Sequence, residues 1–218
     1  MTSALLQTID FKIHDRPAPD LLPSGIARFD AVFGGIPRGC VTDIFGPASS
    51  GRTSLLFSLI SEATAREEFC AVVDAGDAFD PTSAAAAGVV LNRLLWIRCG
   101  GNAEHALKAT DLLLQAGGFG LVAMDLGDIA PATARRISLA SWYRLRRAVE
   151  NTPTVLVVVE RAPHARACAQ FAVECARSRV KWSGAPGRSL LLRSVEFAAG
   201  RRKPLRPACT DMEAHALR

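Results

Sequence analysis

The chain has 218 residues, 49% of them apolar and 22% charged, with a formal net charge of +5. That is enough apolar material for one substantial core and too little charge for bulk disorder. No apolar run approaches the roughly 20 residues of a bilayer span, and Asp10, Lys12, Asp15, Arg16 and Asp20 interrupt any signal-peptide core, so the expectation is a soluble, cytoplasmic protein.

Residues 1–21 read as an arm and linker, with Thr8 to Ile13 extended and Pro17 and Pro19 stiffening the connection. A core domain is expected over 22–206 and a flexible tail over 207–218. Val41 to Phe45 predicts a strand feeding a glycine loop, and Thr53 to Ala65 has helical spacing through Leu55, Leu56, Leu59 and Ile60. Phe69 to Asp74 predicts a second strand. An alanine-rich helix near Ser83 to Ala87 and a short strand at Leu94 to Ile97 follow. Ala103 to Ala116 reads as a helix stopped by Gly117-Gly118. Leu121 to Asp125 predicts the fourth strand, and Ala132 to Asn151 a long basic helix. The β-branched run Thr154 to Val159 predicts a central strand buried on both faces. A helix over about 165–176 comes next, then strands near Arg179 to Trp182 and Ser189 to Phe197. The alternation predicts an α/β fold, a mainly parallel twisted sheet with helices on both faces.

The six cysteines, at 40, 70, 99, 168, 175 and 209, form no C-x-x-C pair. They read as apolar side chains of a reducing compartment, not as a disulfide or metal framework, with Cys168 and Cys175 sharing burial on the expected helix. His14, His105, His164 and His215 suggest surface or capping roles, and no Ser–His–Asp or Cys–His arrangement stands out.

The most informative segment is Gly46-Pro47-Ala48-Ser49-Ser50-Gly51-Arg52-Thr53. It satisfies every constrained position of the phosphate-binding loop G-x-x-x-x-G-K-[ST] except the lysine, which is Arg52. Strand before and helix after is the context that makes the motif credible, because the helix N-terminus then faces an anion. Thr53 stands where a Mg²⁺ ligand belongs, and Ser54 continues the loop into the helix. Arg52 keeps the charge, but a planar, always protonated guanidinium is broader than the ammonium such a cradle takes. Asp125, closing an apolar strand, is the second expected Mg²⁺ ligand.

Taken together, Leu22-Pro23-Ser24-Gly25 to Asp30, Phe33-Gly34-Gly35-Ile36-Pro37-Arg38-Gly39, Asp43 to Gly51, Asp74 to Pro81, Gly88-Val89, Asn92 to Leu95 and the Asp125 strand resemble the RecA recombinase ATPase core. The likeness covers roughly 22–206 and is strongest up to Asp125. It implies an ATP and Mg²⁺ site with Asp80 at the adenine. It also exposes departures. The water-activating glutamate of RecA-type proteins matches Gly76, with Asp77 one residue out of place. The base-stacking tyrosine matches Ser83, and the γ-phosphate-sensing glutamine matches Arg161. The resemblance therefore implies no intact catalytic residue, leaving Asp77 and Arg161 as candidates. The long DNA-gripping loops after the fourth and fifth strands are short here. No counterpart is seen of the N-terminal helix or the appended C-terminal domain of bacterial RecA, so oligomerisation is expected to be reduced.

Between Arg161 and Arg206 eleven Lys/Arg face only Glu174 and Glu196, a local balance of +9. Arg188, Arg193, Arg201, Arg202, Lys203 and Arg206, with Arg135 and Arg136 on the basic helix, are candidates for weak DNA contact or for steering an acidic protein partner. Trp142, Tyr143, Trp182 and Phe197 are the nearby stacking candidates. The chain is thus similar in character to the ImuA-type RecA-like accessory proteins of bacterial translesion synthesis. That likeness implies a recombination-incompetent role in DNA repair and SOS damage tolerance, through contacts with RecA recombinase or an error-prone polymerase complex. Two alternatives stay open: an ATP-binding switch or slow ATPase of the RecA/RadA type binding single-stranded DNA, and a RecA-fold inhibitor of cell division.

Overall fold

The computed structural model describes residues 20–184, 191–204 and 208–215. The expected extended segment of the arm, with its prolines, lies outside them, as do Arg188 and Arg206.

In chain order the elements are β1 (Leu21–Leu22), α1 (Ala27–Phe33), β2 (Ile36–Pro37), β3 (Val41–Phe45), α2 (Arg52–Ala65), β4 (Cys70–Asp74), α3 (Pro81–Ala86), β5 (Leu94–Arg98), α4 (Ala103–Ala116), β6 (Leu121–Asp125), α5 (Pro131–Ala134), α6 (Leu139–Val149), β7 (Val155–Glu160), β8 (Phe171–Ser183), β9 (Leu191–Lys203) and β10 (Ala208–His215). Eight strands form one sheet in the order β10-β9-β8-β3-β7-β6-β4-β5. From β8 to β5 every pairing is parallel, while β9 and β10 extend that edge antiparallel. The mainly parallel sheet agrees with the alternating pattern.

Two cores separate along the strand pleat, as alternate residues of a doubly covered sheet require. On one face Ile44, Val72, Leu121, Val157 and Val173 meet α1 and the Leu55, Leu56, Leu59 and Ile60 stripe of α2. On the other, Val73, Val122, Met124 and Val158 meet α4 and the Trp142, Leu145 and Val149 face of α6. Arg38, 12% exposed at the side chain, ties the strand edge together. It donates to both carboxylate oxygens of Glu68, at 3.1 and 2.6 Å, and to Pro153 O at 2.9 Å. Among the described residues no helix is long and apolar enough to cross a membrane.

Four expectations are corrected. Residues 165–176 are not a helix: a 3₁₀ turn over Ala165–Ala167 leads into the 13-residue strand β8. Pairing with β3 on one side and β9 on the other overrides the helix-compatible alanine content, the usual outcome where tertiary partners compete with local propensity. Cys168 and Cys175 are both buried, but in opposite cores. The basic helix is two pieces, α5 and α6, because Ser138 accepts from Ser141 N at 3.1 Å and caps a new start. Residues 208–215 are not a loose tail: β10 pairs with β9 from Ala208↔Arg201 to His215↔Ser194 and packs beside α1, where Thr210 Oγ1 donates to Arg28 O at 3.2 Å.

Candidate functional site

The loop from Gly46 to Gly51 leaves β3 at the carboxyl edge of the parallel strands, where open α/β sheets place their ligand crevice. Its backbone path depends on two glycines. Gly46, at φ +156°, abuts β8 so closely that a Cβ there would lie 2.2 Å from Cys175 O. Gly51, at φ +92°, lies under the ring of Phe197 on β9, where a Cβ would sit 2.5–2.8 Å from three ring carbons. The antiparallel extension thus clamps the loop from outside. No side chain caps α2, so its first-turn N–H groups remain for an anion.

Two clefts flank Phe197. One, of about 350 Å³, is lined by Ser49, Ser50, Gly51, Arg52, Thr53 and Ser54 with Arg177, Val180, Trp182, Leu192, Val195 and Phe197. The other, of about 440 Å³, joins Thr53 and Ser54 to Ser83, Met212 and His215. The residues Gly46, Pro47 and Ala48 form the entry of the loop. Asp80 is spent on structure: it caps α3, accepting from Thr82 N at 3.1 Å and Ser83 N at 3.0 Å, and the Ser83 hydroxyl holds its pKa below the usual value.

Arg52 turns inward. It is 8% exposed, and its Nη1 has no hydrogen-bond partner. It lies against Gly127, where an added Cβ would stand 3.0 Å from Arg52 Nη1 and 2.9 Å from Asp125 Oδ1. Burial lowers the Arg52 pKa, while Asp125 and Asp128 oppose that shift. Asp125 accepts from Gly127 N at 2.8 Å, and burial pushes its pKa up to about 6. Arg161 closes the same corner, donating through Nε to Gly127 O at 2.7 Å and through Nη2 to Asp128 Oδ1 at 3.2 Å.

The expected Mg²⁺ ligands share neither of these two clefts. Thr53 lines the clefts, whereas Asp125 lies behind Arg52 and lines neither. No group of three or more His, Cys, Asp or Glu among the described residues could hold a metal ion. Mg²⁺ at a nucleotide keeps several waters and takes one or two carboxylates with the phosphates, and here the Arg52 guanidinium already stands beside Asp125. These residues do not fit the metal.

The candidate catalytic residues fare differently. Gly76 faces the 125–128 loop so tightly that a Cβ would lie 2.9 Å from Asp128 Cβ. Asp77, at φ +57°, points to Arg98, with oxygens 3.4 and 3.3 Å from Nε and Nη2. Arg161 is at the site but bound to the loop. Of the basic candidates, Arg193 is exposed on β9 near the hairpin end. Arg201 lies over the Phe33 ring at 5.8 Å, Arg202 Nε donates to Glu174 at 2.6 Å, and Lys203 Nζ reaches Ala169 O at 3.2 Å. Arg135 and Arg136 are exposed at the α5–α6 break, where Arg136 shares an open cleft with Lys108. They do not form one stripe. Residues the sequence reading missed are Arg177, which falls between the helix expected to end at 176 and the strand expected near Arg179, and Gly127 and Asp128, whose only signal is their place just after Asp125.

A glycine loop between a central parallel strand and a helix, with an aspartate ending a parallel strand two places along the sheet, defines a P-loop NTPase-type core. The family described as RecA N-terminal domain matches residues 14–135, and the chain belongs to the RecA family. Protein RecA of Chloroflexus aurantiacus (strain ATCC 29364 / DSM 637 / Y-400-fl) is 31% identical over 160 residues, covering 66% of this chain and 45% of that relative. Protein RecA of Rickettsia canadensis (strain McKiel) is 31% identical over 166 residues, covering 68% and 48%. The chain therefore spans about half the length of the curated relatives it matches. Among solved structures, the crystal structure of the RadB recombinase superposes with a TM-score of 0.62 at 17% identity, over 89% of this chain and 94% of that one. At that identity the likeness speaks for the fold.

Proposed function

We propose that this RecA-family chain holds ATP as a ligand and does not use it as fuel, serving DNA repair and SOS damage tolerance as a recombination-incompetent accessory. Its partners on this reading are an error-prone polymerase complex or the recombinase itself, met through protein contacts. The observation that carries the proposal is Gly76 packed on Asp128: the position that would activate the attacking water has neither a side chain nor space for one. Asp77 offers no substitute, because its carboxylate is engaged by Arg98. A general base contributes roughly 10²–10⁴ to such a reaction. The buried, unpartnered Arg52 Nη1 and the uncapped start of α2 favour anion binding all the same.

Phosphate release from ATP, with and without single-stranded DNA, tests this directly. The expected rate is roughly a hundredfold or more below that of a bacterial RecA assayed alongside, with no stimulation by DNA. DNA-stimulated turnover at the recombinase's rate would refute it.

A further inference from the structure

The 350 Å³ cleft has a charge pattern unlike that of a metal–nucleotide site. Its charged lining residues are both arginines: Arg52 from the loop and Arg177 from β8. Among the described residues no carboxylate lines it. Arg52 is more than nine-tenths buried with Nη1 unpartnered, and Ser50, 1% exposed, holds a hydroxyl with no partner either. Polar groups left unsatisfied this close to a cleft are costly; Arg52, whose Nη1 lies against Gly127, and Ser50 both line it. Arg177 is exposed two residues beyond Cys175, whose carbonyl braces Gly46, so the strand that clamps the loop also carries this second guanidinium to its open side.

We propose that this cleft binds the polyphosphate of a nucleoside triphosphate without a divalent cation, with Arg52 below and Arg177 above supplying the positive charge. The inference rests on the nucleotide-binding reading above and goes beyond it in naming the charge partner. Guanidinium groups meet phosphate oxygens through paired, charge-assisted N–H donors. A hydrated dication entering the same cleft would face two fixed positive charges and no carboxylate. Arg161, held on Gly127 O and paired with Asp128, adds no net charge behind the loop. The free tetra-anion of ATP, with its full charge exposed, is therefore the preferred form. Trp182, 58% exposed on the cleft's rim, and Leu192 leave apolar surface beside the phosphates.

The test is calorimetric titration of the full chain with ATP, once in excess EDTA and once in excess MgCl₂. The expected result is binding in EDTA at least as tight as in MgCl₂. Arg177→Ala, a change at an exposed strand position, is expected to weaken binding in EDTA roughly tenfold while its melting curve stays that of the wild type. Arg52→Lys, which slims the inner cation, is expected to gain a preference for MgCl₂. Binding that tightens tenfold or more on adding Mg²⁺ to the wild type overturns this inference and leaves the nucleotide-binding reading standing. So does an Arg177→Ala affinity equal to the wild type. Absence of ATP binding in both conditions overturns both readings.

Discussion

Phe197 on Gly51 links the sheet extension to the loop, and the link can be measured. Replacing Gly51 by alanine forces a non-glycine residue to φ +92°, a left-handed geometry that costs about 1–2 kcal/mol. It also drives a methyl group to 2.5 Å from the Phe197 ring. That ring is 6% exposed and has little space to retreat, so overpacking adds about 1–3 kcal/mol. Phe197→Ala alone loses about 3–5 kcal/mol from the core. In the double variant the ring is gone, the collision with it, and only the backbone cost remains. The pair should therefore be more stable than the sum of the single losses by about 1–3 kcal/mol. Urea unfolding of the four proteins, with slopes compared to confirm a common mechanism, gives this coupling energy. Losses that add to within about 0.5 kcal/mol would refute the packing argument.

Gly76→Glu, which rebuilds the side chain of an active RecA site, is expected to yield no ATP turnover above wild type in a phosphate-release assay, because Asp128 Cβ stands 2.9 Å from where its Cβ must go. Arg38→Met should lower stability by about 2–3 kcal/mol in chemical denaturation, since it abandons the Glu68 carboxylate and the Pro153 carbonyl together. Asp43, wholly buried on β3, has its pKa raised well above the ordinary 3.8 by burial and then by the charge of Glu160, with Lys203 opposing. Because the native value exceeds the unfolded one, the stability held by the protonated form is complete below about pH 4 and drains away as pH rises. Asp43→Asn should then melt above the wild type by a margin that widens from pH 5 to pH 8 in scanning calorimetry. A margin that shrinks over that range would count against the assignment.

Much of the left half of the molecule could be read before folding. The Val41–Phe45 strand, the loop and the Leu55–Ile60 stripe are local patterns, and α2 and β3 form where those patterns predict. The right half depends on partners distant in sequence. Nothing local tells Phe171–Ser183 that β3 and β9 will flank it, and its alanines fit a helix equally well. Reading its first part as helix, with the strand resuming only near Arg179, left Arg177 unassigned at the loop. β10 is legible only once β9 offers an edge to pair with. The fate of Arg52 was hidden for another reason. Its charge is visible in the sequence, but its inward turn follows from the absent Cβ of Gly127, a residue far along the chain that no spacing rule connects to the loop.

Cys175 O braces Gly46 and Phe197 covers Gly51, so the cradle and the β8–β9 hairpin share one folding equilibrium. Any anion that fills the cradle must, by linkage, stabilise the hairpin by the same free energy that an intact hairpin lends to anion affinity. Amide exchange along β8 and β9 should then slow when ATP is added, and substitutions in the hairpin that never touch a phosphate should loosen nucleotide binding. The surface of that hairpin, with Trp182 and Leu192 at its outer end, becomes a place where an occupied loop is legible from outside the protein.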